Sequence, residues 1–220
     1  MTFKRLTLIC GHYGSGKTNI AVNLAKRLKE EKGKATLADL DIVNPYFRAK
    51  DRTDELKAAG IRLICSEYAN SNVDFPALPQ EIYSIRDDRS MPAVLDIGGD
   101  DRGALALGRL APSIREENDF EMLMVMNACR PLTPDAPSLM EVLREIEQAG
   151  GLAFTGLINN TNVGRETTAE TVLKSLDFAA EASRLSGLPV VLTTVSEELY
   201  PALEGKIPDL MALHLNQSIV

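Results

Sequence analysis

The 220-residue chain has no tryptophan, three cysteines and two histidines, and aromatic residues make up only 5% of it. Cys10, Cys65 and Cys129 stand far apart and form no C-x-x-C pair, which argues against zinc and iron–sulfur centres. An odd, sparse cysteine count fits a reducing compartment rather than a disulfide framework. No stretch approaches the ~18 consecutive apolar residues needed to span a bilayer. The first apolar run, of roughly five residues, is too short for the core of a signal peptide. A cytoplasmic protein is expected. Basic residues are the minority: 24 Lys and Arg against 31 Asp and Glu give a net charge of −7. That disfavours a broad nucleic-acid footprint or attraction to anionic lipid. The remaining composition, 45% hydrophobic and 25% charged, is that of a globular protein and excludes disorder and low complexity.

Strand and helix signals alternate along the chain. Short apolar runs at 6–10, 35–40, 61–65, 93–97, 120–126, 154–158 and 189–194 read as buried strands. Helical spacing or helix stops mark 17–33, 51–59, 78–86, 102–117, 138–148, 168–185 and 197–203. Pro112 is expected to break or kink the fourth of these. Residues 66–76 read as loop, and 210–215 as a packing or interface segment that lacks the basic face of a membrane helix. Repeated βα units with apolar strands predict an α/β, doubly wound, mostly parallel sheet of about seven strands with helices on both faces. No linker or composition break divides the chain, so 1–220 is expected to be one nucleotide-binding domain.

Gly11-His12-Tyr13-Gly14-Ser15-Gly16-Lys17-Thr18 fits G-x-x-x-x-G-K-[ST], between a strand and a helix as that motif requires. Glycines let successive N–H groups turn inward as an anion nest, and the helix N-terminus adds positive potential. Gly11, Tyr13, Gly14, Ser15, Gly16, Lys17, Thr18 and Asn19 are therefore the expected nucleotide contacts. Lys17 would reach the β- and γ-phosphates, and Thr18 would ligate Mg²⁺. A dinucleotide fingerprint is the rival reading, but Asn19 occupies its third glycine position.

Such sheets keep their chemistry at the carboxyl ends of the strands. Three of those ends are polar: Asp39-Leu40-Asp41, Asp96-Ile97-Gly98-Gly99-Asp100-Asp101, and Asn159-Asn160-Thr161-Asn162. Asp96 and Gly99 fit D-x-x-G, in which the Asp holds Mg²⁺ through water and the glycine N–H senses the γ-phosphate. Arg102 and Arg130 are surface arginines, or phosphate or trans contacts. Asn44-Pro45-Tyr46-Phe47-Arg48 is a hydrophobic turn or a partner contact.

In motif order the chain resembles the deviant P-loop ATPases typified by MinD, ParA and the nitrogenase iron protein, the CobQ/CobB/MinD/ParA nucleotide-binding group. By that resemblance Asp39 would lie near Mg²⁺ and Asp41 would orient or activate the attacking water, with Asp100 as the alternative. Asn160 would contact adenine. A guanine site would want N-K-x-D, whose last position is here Asn162, so ATP is preferred. The family loop usually reads K-G-G-x-G-K-[ST]. Here His12-Tyr13 stands where Lys-Gly is usual, so the lysine that reaches a partner's phosphates is missing and a homodimer is left open. The cluster-binding cysteine of the nitrogenase iron protein is also missing after Asp100, and no electron-transfer role is implied.

The reading is a Mg²⁺-dependent ATPase that acts as a nucleotide-dependent switch on a protein partner. The alternatives are an ATP-dependent small-molecule kinase or ligase, and a nucleotide-gated adaptor with little hydrolysis.

Overall fold

The computed structural model describes residues 2–41, 52–65, 80–99 and 101–215, with only the backbone at 101, 102, 104 and 105. The Asn44–Arg48 stretch, the expected loop at 66–76 and Asp100 lie outside the described residues. The strands are β1 (Leu6–Cys10), β2 (Thr36–Leu40), β3 (Arg62–Cys65), β4 (Ala93–Ile97), β5 (Phe120–Met126), β6 (Gly156–Asn159), β7 (Val190–Ser196) and β8 (Leu210–Leu213). They form one sheet in the order β3-β2-β4-β1-β5-β6-β7-β8. Every pairing is parallel. The sheet thus has one strand more than expected and is parallel throughout.

The extra strand is β8. Its burial alternates, with Met211 and Leu213 inward, and it pairs with β7 from Thr193↔Leu210 to Ser196↔Leu213. Four residues carry too short a period to separate strand from turn until the free edge of β7 is known.

The helices are α1 (Lys17–Lys32), α2 (Thr53–Ala58), α3 (Ser84–Asp87), α4 (Asp101–Glu117), α5 (Ala136–Gly150), α6 (Ala169–Ser186) and α7 (Tyr200–Leu203). A 3₁₀ turn, Gln80–Tyr83, precedes α3, so the described part of the helix expected at 78–86 is two short pieces. α4 continues through Pro112 rather than breaking there. Pro112 costs one backbone bond, about 3 kcal/mol in an isolated helix. Leu107, Leu110, Ala111 and Ile114 are buried on both sides of it, and that packing offsets the loss.

Strand side chains alternate between two cores. Leu6, Leu8 and Cys10 of β1 join the layer built with Leu107, Leu139 and Leu143 of α4 and α5. Ile9 joins the opposite layer with Ile20, Leu24 and Leu28 of α1. With both faces covered, strand residues are apolar without alternation. β1 lies centrally between β4 and β5, where the order of connection reverses. That is the crevice position for a ligand in an open parallel sheet. No described helix is long and apolar enough to cross a membrane.

Candidate functional site

The loop at 11–16 leaves β1 and enters α1 through Gly16, which has φ 93°. Only glycine suits this position, because a Cβ there would lie 2.2 Å from Asn160 Nδ2. No side chain caps α1 and no acidic residue lies in its first turn, so its first N–H groups are left for another acceptor. Within the loop, Ser15 N–H donates to His12 O at 3.1 Å. Tyr13 is exposed, Gly11 and Ser15 are buried, and Asn19 is half-buried on the first turn of α1.

Lys17 and Thr18 turn inward and are buried. Thr18 Oγ1 donates to Asp96 Oδ2 at 2.6 Å, and Lys17 Nζ lies 3.5 Å from Asp41 Oδ2. Asp39 and Asp96 are direct partners across β2 and β4. Asp39 Oδ1 accepts from Asp41 N–H at 3.2 Å. The structure thus brings Lys17, Thr18, Asp39, Asp41 and Asp96 into one buried cluster. Gly99 closes it from the β4 side, where a Cβ would lie 2.0 Å from Gly11 O.

Three carboxylates this close disfavour a third charge. Burial first, then the Asp39 carboxylate, push Asp96 up to about 7 against the pull of Lys17 and the Thr18 hydroxyl. A divalent cation reverses that balance. Among the described residues no group of three or more His, Cys, Asp or Glu side chains is arranged to hold a metal by itself. The Thr18 hydroxyl and the Asp96 carboxylate suit Mg²⁺, which binds through one or two protein groups together with substrate phosphates. Four buried side-chain polar atoms among the described residues lack a partner, and three border this loop: Ser15 Oγ, Asp96 Oδ1 and Arg130 Nε. Orphaned groups concentrated here, rather than through the core, mark a place built for a polar ligand. Burial raises the Cys10 thiol pKa beneath the loop, so Cys10 is no nucleophile at neutral pH.

Asn160 stands behind the phosphate loop. Its Nδ2 donates to Ser15 O at 2.7 Å, and Thr194 Oγ1 donates to its Oδ1 at 2.7 Å. These two bonds use one of its two Nδ2 hydrogens and one of its two Oδ1 lone pairs. Asn162, the last position of the N-x-x-N segment, accepts from Gly164 N–H and donates to Asn160 O. Thr194 and Asn127 support the loops around the site and belong to no motif. Their signal in the sequence is weak: a polar residue at or just beyond the end of an apolar strand.

No protein-family model and no curated protein matches the chain. Solved structures do match in fold. FtsY of Thermotoga maritima superposes with a TM-score of 0.57 at 20% identity, over 87% of this chain and 62% of that one. FtsY of Mycoplasma mycoides gives 0.55 at 16%, over 90% and 62%. FlhF, solved in complex with GTP and Mg²⁺, gives 0.55 at 15%, over 90% and 68%. The chain therefore spans about three fifths of the FtsY structures it matches. It has the α/β P-loop NTPase fold.

Proposed function

We propose that the chain is a Mg²⁺-dependent nucleoside triphosphatase, with ATP as its nucleotide, that switches the state of a protein partner. The observation that carries this reading is the Thr18–Asp96 bond beside Lys17 at the uncapped start of α1, with Asp96 Oδ1 left unpartnered. Loop N–H groups would hold the phosphates and Lys17 would neutralise the terminal ones. Thr18 would ligate Mg²⁺, and Asp96, with Asp39 nearby, would hold its waters. The bound ion would supply charge neutralisation on the phosphate oxygens.

In hydrolysis a water oxygen forms the new bond to the terminal phosphorus. The bond to the bridging oxygen breaks, and its electron pair stays on the departing diphosphate. The water's proton passes to a carboxylate or to the phosphate itself. Asp41 is the proposed water-orienting group, and leaving its Lys17 contact is the rearrangement that would arm it. Asp100 is the alternative. Exposed Tyr13, Leu132 and Val163 lie on loops after β1, β5 and β6. They would give a nucleotide-sensitive surface to the partner.

ATP is favoured over GTP because no carboxylate stands at position 162 to accept from the guanine amino and ring N–H groups. The GTP complex of FlhF, which shares the fold, supports GTP as the second reading. Phosphate release from each nucleotide, with and without Mg²⁺, tests both, with Lys17→Ala as the control. The expected result is slow, Mg²⁺-dependent turnover of ATP that Lys17→Ala abolishes. Tight ATP binding with transfer only to an added acceptor would replace the hydrolase reading with a kinase or ligase. Turnover of GTP alone would overturn the base assignment.

A further inference from the structure

Arg130 lies on the loop after β5, against the phosphate loop. A Cβ added at Gly14 would stand 3.6 Å from Arg130 Nε, 3.8 Å from Cδ and 4.0 Å from Cζ. The stem and inner edge of the guanidinium therefore run along the middle of the phosphate loop. Arg130 Nε is buried without a hydrogen-bond partner. Among the described residues the side chain makes no hydrogen bond and no ion pair. The side chain is half-buried, and its buried Nε–H has no acceptor, which leaves a donor unmet.

The fold, rather than chance, puts it there. Asn127 Oδ1 accepts from Cys129 N–H at 3.0 Å, and Asn127 O accepts from Arg130 N–H at 3.1 Å and from Thr133 Oγ1 at 3.2 Å. Ala128 N–H donates to Thr161 Oγ1, which ties the loop to the end of β6. Lys17, by contrast, already faces Asp41. At position 12 the imidazole Nδ1 lies 3.1 Å from Tyr13 O, so that side chain is engaged with its own loop.

We propose that Arg130 is the second cation of the nucleotide site, supplied by the same chain. This rests on the triphosphatase reading above. The guanidinium donates hydrogen bonds to the phosphate chain over Gly14. As the terminal bond breaks, it stabilises the negative charge gathering on the bridging oxygen, and it transfers no proton. It takes the place of a loop lysine and needs no partner subunit.

The test is steady-state hydrolysis of Mg-ATP and Mg-GTP by wild type, Arg130→Ala, Arg130→Lys and Lys17→Ala. Melting midpoints are taken without nucleotide, and binding of a non-hydrolysable analogue of each nucleotide is measured alongside. Arg130→Ala should lower kcat by about 10²–10³-fold, the usual loss for one preorganised donor, and should weaken analogue binding. Its melting midpoint without nucleotide should not fall below the wild-type value, because the substitution removes an unmet buried donor. Arg130→Lys should recover part of both losses, which a purely structural role would not produce. Mixing Arg130→Ala with Lys17→Ala should restore nothing, because both cations act within one chain. Wild-type kcat and binding in Arg130→Ala, beside an inactive Lys17→Ala, would overturn the proposal while leaving the triphosphatase reading intact. Recovery on mixing would also overturn it, by placing Arg130 in a partner's site. Wild-type behaviour of Lys17→Ala would sink the triphosphatase reading itself, and the proposal with it.

Discussion

Asp96 is the residue in which stability and function pull apart most clearly. It is fully buried beside Asp39, and both burial and that neighbour oppose its charged form. Without a cation the ionised carboxylate is a liability, and with one it becomes an anchor. Asp96→Asn keeps an acceptor for the Thr18 hydroxyl and removes the charge. It should raise the metal-free melting midpoint at pH 8 by at least about 2–4 °C, the shift that ~1 kcal/mol makes in a domain this size. It should also lower Mg²⁺-dependent turnover about 10–100-fold. Thermal scans and phosphate release on the same preparation check both; a variant that is less stable and fully active would contradict the assignment. Lys17, Thr18 and Asp96 were legible as candidates because a P-loop motif and a D-x-x-G segment each sit at a strand end. Arg130 was legible only as an arginine of two meanings. Its approach to Gly14 depends on β5 lying beside β1 and on Asn127 fixing the loop, and neither is a local property of the chain.

The edge strand β8 shows how an element too short to announce itself is held. Asn23 of α1 treats His214 as a peptide partner: its Oδ1 accepts from His214 N–H at 2.9 Å and its Nδ2 donates to His214 O at 3.3 Å. His214 Nδ1 also lies 3.0 Å from Glu197 Oε2 at the end of β7. Asn23→Ala removes both amide contacts and should cost about 1–2 kcal/mol, on ~0.5–1.5 kcal/mol per bond. Amide exchange should rise at residues 211–214 and stay unchanged at Leu24 inside α1. Equal exchange at both places would show that β8 does not depend on the clasp. The seven strands read from apolar runs are close to those observed, since a strand buried on both faces carries a strong local signal. β8 was not readable, and the helix at 102–117 was read without showing whether Pro112 would break it. Each is decided by tertiary packing, β8 by the free edge of β7 and α4 by the buried residues flanking the proline.

The parallel order puts β1 at the point where the connections reverse and gathers residues from β1, β2, β4, β5 and β6 at one crevice. The acidic surplus of the chain, a net −7, makes a free polyphosphate a poor general ligand, so affinity would come from local N–H groups, Lys17, the proposed Arg130 contact and the metal. Thr18 and Asp96, joined at 2.6 Å, offer a divalent ion the one or two protein groups with which Mg²⁺ binds beside substrate phosphates. Metal and nucleotide should therefore bind as a unit. The most direct check is the free-Mn²⁺ EPR signal, with Mn²⁺ standing in for Mg²⁺, recorded during titration of the protein with and without non-hydrolysable ATP and GTP analogues. If metal and nucleotide bind as a unit, the protein alone leaves the signal unchanged, and the ATP analogue with protein removes one more Mn²⁺ per chain than the analogue removes by itself, an excess that Lys17→Ala abolishes. Equal Mn²⁺ uptake without nucleotide, or no such excess with either analogue, would contradict joint binding.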